Sequence, residues 1–526
     1  MVRDKIISKL TETLEGTFRI KKEVSLERPR EEGFGDYASS VALELSKDLE
    51  KNPREIATQI IENFPSLKEV ESITVAGPGF INFKLSDHFW FGFLNEIIEQ
   101  GERFASGKRK DEKINIEFIS CNPTGPMTIA NGRGGFTGDV LANLFTFLGY
   151  EVVREFYVND TGNQIKTLGL SLLAARGEIE REEHFYQGDY LNDLKNKFTE
   201  ENNPQILGQK VAREILEKNI KPSIEKMTIN FDVFFSEREM REQGKIEEVL
   251  DFLEKKKLTY REDEALFMRT TQYGDDKDRV LKKRDASFTY FASDIAYHWD
   301  KFERSDRLIN IWGADHHGYI GRILALATSV DRQDDISFLI VQLVRLVSQG
   351  KEFKMSKRKG KFIEIKDLID QVGTESARWF FLQKAANTHL DFDLDLAKDK
   401  SEKNPVYYVK YAHARLCGIL RKLSADSEDL ARKEEVFSFE EVELSLLKEI
   451  EKFPEIIEEV AKNLEVHRLC FYAQDLAKKF HKFYTHCPVM NAEREVQDKR
   501  KKILKATKII LASVLNIIGV SAPERM

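Results

Sequence analysis

The stretch between residues 113 and 158 constrains the fold of this chain more than any other part. Apolar side chains alternate from Ile114 to Phe118, which is typical of a β-strand, and a loop rich in proline and glycine follows at 122–126. A helix is then predicted from about Gly132 to Leu148, and a second strand from Val152 to Val158. Because parallel neighbouring strands need a crossover between them, this order predicts a parallel α/β sheet.

Three regions with different patterns follow one another along the 526 residues. Residues 1–108 combine helical spacing with two strands around a Gly-Pro-Gly turn, which predicts a small α+β domain. Residues 109–394 predict the parallel-sheet domain, with an insertion at about 165–285 where a polar helical stretch separates strand-like segments. From 395 to 526 the apolar period of about 3.6 residues predicts an all-α bundle, with helices over 407–423, 441–464, 466–484 and 496–518.

Composition excludes several classes of protein. Lys and Arg total 82 against 89 Asp and Glu, so a uniformly basic nucleic-acid packaging protein is excluded, although a local basic face is not. The four cysteines contain no CxxC pair, so we expect neither a disulfide framework nor a cysteine zinc site. The longest apolar run, Ile509 to Val520, is too short to span a bilayer. We therefore expect a soluble, cytoplasmic protein.

Two loops are candidates for binding phosphate. The first, at 116–126, follows the first strand and runs into a glycine-rich helix start at 127–135, where main-chain N–H groups can approach an anion. The same glycines could instead serve a tight strand-to-helix crossover. The second is the basic stretch from Lys351 to Gly360, which contains Lys354-Met355-Ser356-Lys357 and could close over a triphosphate. A solvated basic loop or a targeting patch is the alternative.

Together these loops resemble the two signature loops of the class I aminoacyl-tRNA synthetases, and further blocks are similar to the bacterial type of the arginyl-tRNA synthetase family. These blocks cover 117–129, 157–165, 274–281, 290–298, 312–318, 389–395 and 404–415. The resemblance implies a Rossmann-type catalytic domain at 109–394, a D-loop-recognition domain at 1–108 and an anticodon-binding domain at 395–526. It also implies that ATP and Mg²⁺ activate L-arginine to arginyl-adenylate, that the arginyl group passes to tRNA(Arg), and that the enzyme is a monomer.

One departure from the family pattern lies in the first loop. Where the family has His-x-Gly-His, this chain has Thr128-Ile129-Ala130-Asn131. Thr128 and Asn131 can donate hydrogen bonds to phosphate oxygens, but neither can carry a positive charge. Either Lys354, Lys357, Mg²⁺ and the helix end compensate for the lost charge, or the chain is a catalytically impaired tRNA-binding relative. We expect compensation, because every other block is present.

The resemblance assigns the catalytic and nucleotide-binding residues. The catalytic group is Thr128, Asn131, Lys354 and Lys357. The ATP-binding group is Pro126, Thr128, Asn131, Gly132, Gly134, Asp315, His317, Lys354, Met355, Ser356 and Lys357. Because His316 and His317 are adjacent and lack a third ligand block, a zinc site at this loop is less favoured than contact with adenosine. No metal held by the protein is predicted.

The resemblance also implies an arginine-binding group of Glu117, Ser120, Asn122, Tyr290 and Asp294, with Asp294 and Tyr290 on the guanidinium. A carboxylate that pairs with the planar guanidinium separates arginine from lysine. Judged from the residues alone, a helix N-cap is the favoured interpretation of Asp294 and a core aromatic that of Tyr290, while Glu117 could be a solvent-facing strand residue.

A third group is expected to bind tRNA: Phe80, Asn82, Tyr411, Tyr484, Lys501 and Met526. Aromatic side chains can stack on unpaired bases, and the basic stretch 499–508 can contact phosphates. The alternatives are a plain edge strand for Phe80 and Asn82 and a solvated helix face for the basic stretch. A small-molecule nucleotidyltransferase is the remaining rival function, but it would have no use for the two flanking domains.

Overall fold

A computed structural model of the protein describes residues 2–29, 32–352, 364–425 and 438–526. The N-terminal region contains α1 (Val2–Phe18), β1 (Tyr37–Ser39), α2 (Val41–Leu49), α3 (Pro53–Asn63), β2 (Val70–Ala76), β3 (Phe80–Leu85) and α4 (Asp87–Gln100). Its three strands form an antiparallel sheet in the order β1-β3-β2, so β3 is central. The predicted α+β architecture is confirmed.

The central region opens with the predicted strand-helix-strand unit. Its elements are β4 (Lys113–Glu117), α5 (Ile129–Phe147), β5 (Glu151–Val158), α6 (Gly162–Arg176), α7 (Asp189–Leu194), α8 (Pro204–Ile215), α9 (Lys221–Lys226), β6 (Val233–Ser236), α10 (Glu237–Glu242), α11 (Lys245–Lys255), β7 (Thr259–Glu262), β8 (Ala265–Met268), β9 (Arg279–Lys282), α12 (Tyr290–Arg304), β10 (Arg307–Gly313), α13 (Ile320–Ser329) and β11 (Ile336–Val341).

Five of these strands form one parallel sheet in the order β11-β10-β4-β5-β6. From β4 the chain continues to β5 on one side, and it later returns to the other side of β4 as β10. The carboxyl ends of β4 and β10 therefore form a switch point of the sheet. Ligands bind at such switch points in parallel sheets. The predicted parallel sheet is confirmed. The stretch 165–285 contributes β6 to the sheet edge and the separate antiparallel sheet of β7, β8 and β9.

A small second sheet adjoins the first. The chain continues with β12 (Val344–Ser348), β13 (Lys351–Glu352), α14 (Ile365–Val372), α15 (Thr374–Leu382), β14 (Leu390–Asp393) and α16 (Leu394–Lys398). β12 pairs with β14 in parallel and with β13 antiparallel. The apolar segment 338–346, which looks uniform in sequence, is therefore divided between two sheets, since β11 ends at Val341 and β12 starts at Val344.

The C-terminal region is the predicted all-α bundle, made of α17 (Pro405–Ala425), α18 (Glu441–Glu451), α19 (Phe453–Asn463), α20 (His467–His486) and α21 (Arg494–Ile518). The single helix predicted over 441–464 is two helices. Pro454 lies in the first turn of α19, where its missing N–H costs nothing, whereas in the middle of a continuous helix it would remove a hydrogen bond. None of the described helices is long and apolar enough to cross a membrane.

Side-chain contacts join the bundle to the other two regions. Arg28 donates to the carboxylates of Glu451 and Glu455, and the hydroxyl of Tyr37 donates to Glu451 at 2.5 Å. In the central region the buried guanidinium of Arg378 donates to Asp139 on α5 at 2.5 Å and to the Ile518 carbonyl at the end of α21 at 3.2 Å. The bundle therefore contacts both the N-terminal region and the helix that follows the first signature loop.

Candidate active site

The chain turns sharply where β4 ends. Ile119 and Ser120 have φ angles of 67° and 39°, a left-handed conformation that is costly for a β-branched residue such as isoleucine. The Ser120 hydroxyl donates to Glu117 at 3.0 Å and accepts from the main-chain N–H of Tyr157 at 3.1 Å. These bonds hold the turn against the end of β5, so the predicted residues Glu117 and Ser120 lie together at the switch point.

The first signature loop ends at the N-terminus of α5. Thr128 is the N-cap residue, and the Asn131 side-chain oxygen accepts from the Thr128 main-chain N–H at 2.9 Å and from its hydroxyl at 3.2 Å. The first turn of a helix carries unpaired N–H groups and the positive end of the helix dipole. The two predicted catalytic residues of this loop are therefore in contact, at a position suited to an anion.

The glycines of α5 have a packing role. A Cβ atom on Gly132 would lie 2.7 Å from Ile365, and one on Gly138 would lie 2.2 Å from the Phe118 ring. Both distances are too short for a Cβ atom, so only glycine fits at these two positions. At Gly134 the nearest side-chain atom would be 3.8 Å away, which is ordinary contact. The tight-crossover interpretation therefore explains Gly132. ATP binding at Gly132 and Gly134 remains a prediction.

The described residues that follow the second signature loop contact the start of α5. Lys354, Met355, Ser356 and Lys357 lie outside the described residues, between β13 and Glu364. Glu364 forms an antiparallel bridge with Thr128, and the Ile365 main-chain N–H donates to the Met127 carbonyl at 3.0 Å. The segment that contains the second loop therefore ends directly beside the first loop.

Asp294 lies in an acidic pocket. The helix α12 begins at Tyr290 and its N-cap is Thr289, so the N-cap interpretation of Asp294 is wrong. Burial, followed by the nearby carboxylates of Glu237 and Glu117, raises the pKa of Asp294 to about 7, although two arginines partly oppose this shift. Within the described ranges no side chain donates a hydrogen bond to this carboxylate. A cationic ligand would relieve the repulsion.

The side chains of Tyr290 and Asn122 are exposed. Tyr290 opens α12 with 56% of its surface exposed, so the core-aromatic interpretation is wrong. Its hydroxyl lies 3.8 Å from the position that a Cβ atom on Gly162 would take, at the start of α6. Asn122 is exposed in the first signature loop. Both side chains are therefore accessible to a ligand at the carboxyl ends of the strands.

Sequence reasoning missed Lys301. Its buried ammonium lies 2.7 Å from Glu117 and 2.5 Å from the Asn310 side-chain oxygen. Glu117 is only 4% exposed, so the solvent-facing interpretation of this residue is wrong. A signal was available, since Lys301 follows Asp294 by seven residues and two helical turns place both residues on the same face of α12. Lys301 supplies the charge that allows Glu117 to be buried.

The loop after β10 places Asp315, His316 and His317 on an exposed 3₁₀ turn at the switch point. Asp315 and His316 form a pair at 3.5 Å. Among the described residues, the one group of three possible metal ligands is Glu440, Glu443 and Cys487, far along the chain in the bundle. Adenosine contact by Asp315 and His317 remains a prediction, as does the preference for that contact over a zinc site at the β10 loop.

Two predicted tRNA-binding residues, Tyr411 and Tyr484, both lie near the Arg415 guanidinium. The Arg415 guanidinium lies 4.2 Å from the ring centre of Tyr484 and 5.9 Å from that of Tyr411. His481 stacks on Tyr411 with ring centres 6.2 Å apart. These four half-buried side chains, which we call the aromatic patch, connect α17 to α20 and combine stacking surfaces with a positive charge.

The basic stretch 499–508 is less available for phosphate than its sequence suggests. Lys499 and Arg500 are each 5% exposed and pair with Glu443 on α18 at 2.6 and 2.7 Å. Lys502 bonds to Asn95 at 2.8 Å, on α4. A phosphate-binding role for Lys499 and Arg500 is therefore wrong, because their charges are used inside the protein. Lys501 is half-buried, and its contact with tRNA stays a prediction.

The remaining predicted tRNA contacts differ in exposure. Phe80 is 37% exposed and Asn82 is 5% exposed, both on β3. Because β3 is the central strand of its sheet, the edge-strand alternative is wrong. Phe80 is accessible for stacking, whereas Asn82 is largely covered. Met526 is 55% exposed at the end of the chain.

Models of three protein families match successive parts of the chain. Residues 3–85 match the arginyl tRNA synthetase N terminal domain, residues 93–390 the catalytic domain of class I (R) tRNA synthetases, and residues 409–526 the DALR anticodon binding domain. These three ranges follow the α+β, parallel-sheet and helical regions of the structure.

Relatives match over nearly the whole length. An arginine–tRNA ligase from Citrifermentans bemidjiense is 40% identical over 96% of this chain and 95% of its own length. Another from Aquifex aeolicus is 37% identical over the full length of both chains. The solved structure of Thermus thermophilus arginyl-tRNA synthetase covers both chains completely with a TM-score of 0.80 at 19% identity, which shows a shared fold. The chain therefore belongs to the arginyl-tRNA synthetase family of the class I synthetases.

Proposed function

We propose that this arginine–tRNA ligase activates L-arginine with ATP at the carboxyl ends of β4 and β10 and transfers the arginyl group to tRNA(Arg). The observation that carries the proposal is the acidic pocket of Asp294, Glu237 and Glu117 at the end of the strand that leads into the first signature loop. Glu117 ends β4, and the first signature loop connects it to the start of α5, which supports an amino-acid site next to a phosphate site.

Asp294 and Tyr290 receive the guanidinium of arginine in this proposal. A bidentate carboxylate–guanidinium pair satisfies the one acidic group in the pocket that lacks a donor, and lysine cannot reproduce its planar geometry. Glu117, Ser120 and Asn122 contact the remaining polar groups of the amino acid. Because both oxygens of Glu117 already accept bonds from Lys301 and Ser120, its contribution is a fixed negative charge in a defined position.

ATP binds across the first signature loop. Asn131, held by Thr128, and the start of α5 contact the phosphates, together with Lys354 and Lys357. Pro126, Gly132, Gly134, Asp315, His317, Met355 and Ser356 hold the rest of the nucleotide. Mg²⁺ is part of the ATP substrate complex and neutralises phosphate charge.

The reaction needs no nucleophilic side chain. An oxygen of the arginine carboxylate attacks the α-phosphorus of ATP, the bond to the β-phosphate breaks, and pyrophosphate leaves. A terminal ribose hydroxyl of tRNA then attacks the carbonyl carbon of the adenylate, and AMP leaves. Catalysis rests on orientation and on stabilisation of the phosphate charge, to which the helix end, Asn131 and the lysines contribute.

The tRNA contacts extend over both flanking regions. The aromatic patch around Tyr411 and Tyr484 offers stacking surfaces for anticodon bases, and Phe80 offers one in the N-terminal region. Lys501 adds a charge and Met526 an apolar contact in the C-terminal region. In the N-terminal region Asn82 adds a group that hydrogen-bonds to the edge of a tRNA base. We also expect a monomer that acts in the cytoplasm.

Exchange of labelled pyrophosphate into ATP, measured with arginine and with or without tRNA(Arg), tests the proposal. We expect exchange that depends on arginine and on tRNA, followed by charging of the tRNA. Equal exchange rates without tRNA would refute the tRNA dependence. Binding of tRNA with neither exchange nor charging would instead support the catalytically impaired alternative.

A further inference from the structure

The orientation of the Asn131 amide follows from its partners. Its side chain faces the main-chain N–H of Thr128 at 2.9 Å. A main-chain N–H can only donate, so the atom that faces it is the amide oxygen and not the amide nitrogen. The Thr128 hydroxyl, 3.2 Å from the same oxygen, has only that acceptor on Asn131 to donate to. The Asn131 NH₂ group therefore points away from Thr128.

The same bonds use up the donor capacity of Thr128. A threonine hydroxyl has one hydrogen, and here that hydrogen is directed at Asn131. The main-chain N–H of Thr128 is directed there as well. Of the two side chains at the histidine positions of the family motif, only Asn131 retains unused N–H groups, and they lie in the first turn of α5.

We propose that Thr128 is a positioning residue and that the Asn131 side-chain nitrogen is the phosphate donor of this loop. The inference rests on the proposed function and deepens it. Thr128 is itself held in place, since it forms a β-bridge with Glu364, the residue that precedes α14. The Thr-x-x-Asn sequence is thus a self-capped helix start that presents one neutral donor in a fixed orientation.

A neutral donor has a consequence for pH dependence. A histidine gains and loses its proton near pH 6.5, within the working range of such an enzyme, whereas an asparagine amide does not titrate there. Activation by this enzyme therefore has no ionisation that arises from the histidine positions. An Asn131→His variant acquires one, and its exchange rate relative to wild type rises as the pH falls through about 6.5.

Four variants separate positioning from direct contact in the pyrophosphate exchange assay, run with saturating arginine and tRNA. We expect Asn131→Ala to lower kcat about 100-fold, the effect of removing one donor to a developing charge. Thr128→Val lowers kcat about 10-fold without changing KM for arginine, and Thr128→Ser restores it to within about twofold of wild type. The double variant Thr128→Val/Asn131→Ala is no slower than Asn131→Ala alone, because Thr128 acts only through Asn131.

Thr146→Val is the matched control. It makes the same substitution on α5, at a threonine whose hydroxyl donates to the Ala142 carbonyl at 2.8 Å, far from the helix start. Its kcat should equal that of wild type. The inference is overturned if Thr128→Val retains wild-type kcat, if Thr128→Ser is as slow as Thr128→Val, or if the double variant loses the product of the two single effects. A wild-type protein without any exchange would overturn the proposed function together with it.

Discussion

Asp294 shows how neighbouring charges set the chemistry of one side chain. An isolated aspartate would be ionised at neutral pH, but burial and the carboxylates of Glu237 and Glu117 raise the pKa of Asp294 to about 7. In the ligand-free protein a rise in pH through 7 therefore ionises this group. A bound guanidinium stabilises the ionised form, so arginine binding and proton release are coupled.

Arginine affinity should consequently depend on pH. We expect the dissociation constant for arginine to fall about 10-fold between about pH 6 and about pH 8, because the protonated fraction of Asp294 must be ionised on binding. Asp294→Asn should abolish this slope and weaken binding at the upper pH about 10- to 100-fold, the value of a charge-assisted pair. Calorimetric titration with arginine measures both effects. Tyr290→Phe is the control, since it removes a hydroxyl and should keep the slope.

Lys301 and Glu117 form a buried ion pair whose contribution to the unfolding free energy can be measured. Lys301→Met should cost about 3–5 kcal/mol of unfolding free energy, because it leaves the Glu117 carboxylate buried without its cation. Urea unfolding followed by tryptophan fluorescence measures the loss. The double variant Glu117→Gln/Lys301→Met removes both charges and should recover part of it. A double variant that is less stable than Lys301→Met would contradict this account.

At the scale of elements, the packing of α5 on the sheet depends on where glycine is required. Gly138→Ala should destabilise the protein by about 1–3 kcal/mol, since its Cβ would overlap the Phe118 ring on the strand side. Gly134→Ala meets only ordinary contacts and should be neutral or stabilising by up to about 1 kcal/mol, as alanine is the better helix former. Thermal unfolding compares the two.

Gly134→Ala also tests the predicted nucleotide contact. If the ATP lies against Gly134, this variant should raise KM for ATP while its thermal unfolding is unchanged or improved. An unchanged KM would remove Gly134 from the nucleotide site and leave it as a helix position near the sheet. The comparison works because stability and binding are expected to change in different directions.

At the scale of the whole molecule, one tRNA must reach both the helical bundle and the switch point of the sheet. Tyr484→Ala or Arg415→Ala should raise KM for tRNA about 5- to 100-fold, the range for losing one stacked base, and should leave kcat for charging nearly unchanged. Phe471→Ala is the control, because Phe471 is 49% exposed on the same helix but is not part of the aromatic patch. Equal losses for the patch variants and the control would contradict a specific stacking role.

The contacts between regions also explain why basic residues cannot be counted from sequence alone. Lys499 and Arg500 belong to the most basic stretch of the chain, yet both fasten α21 to Glu443 on α18. The sequence of one helix shows which of its side chains are charged. It does not show which of them face a buried carboxylate on another helix.

The sequence by itself determined the kind of each region. Local residue patterns were enough for this: the alternation from Ile114 to Phe118, the helical period beyond 395 and the ordered signature blocks. Such patterns depend only on residues that are close together in the sequence. The short edge strand β6 was not predicted from the sequence, because its four residues are too few to show a recognisable alternation. The helix predicted over 441–464 was divided by a proline whose effect depends on its neighbours.

Only the tertiary structure decided what the site residues do. Glu117 and Lys301 are 184 residues apart in the chain, and Asp294 acquires its raised pKa from burial and then from carboxylates on two other elements. Pairings of this kind leave no trace in local periodicity, because the energy of a buried charge depends on what folding places around it. For the same reason the sequence identified Thr128 and Asn131 as two donors, whereas their mutual hydrogen bonds leave one.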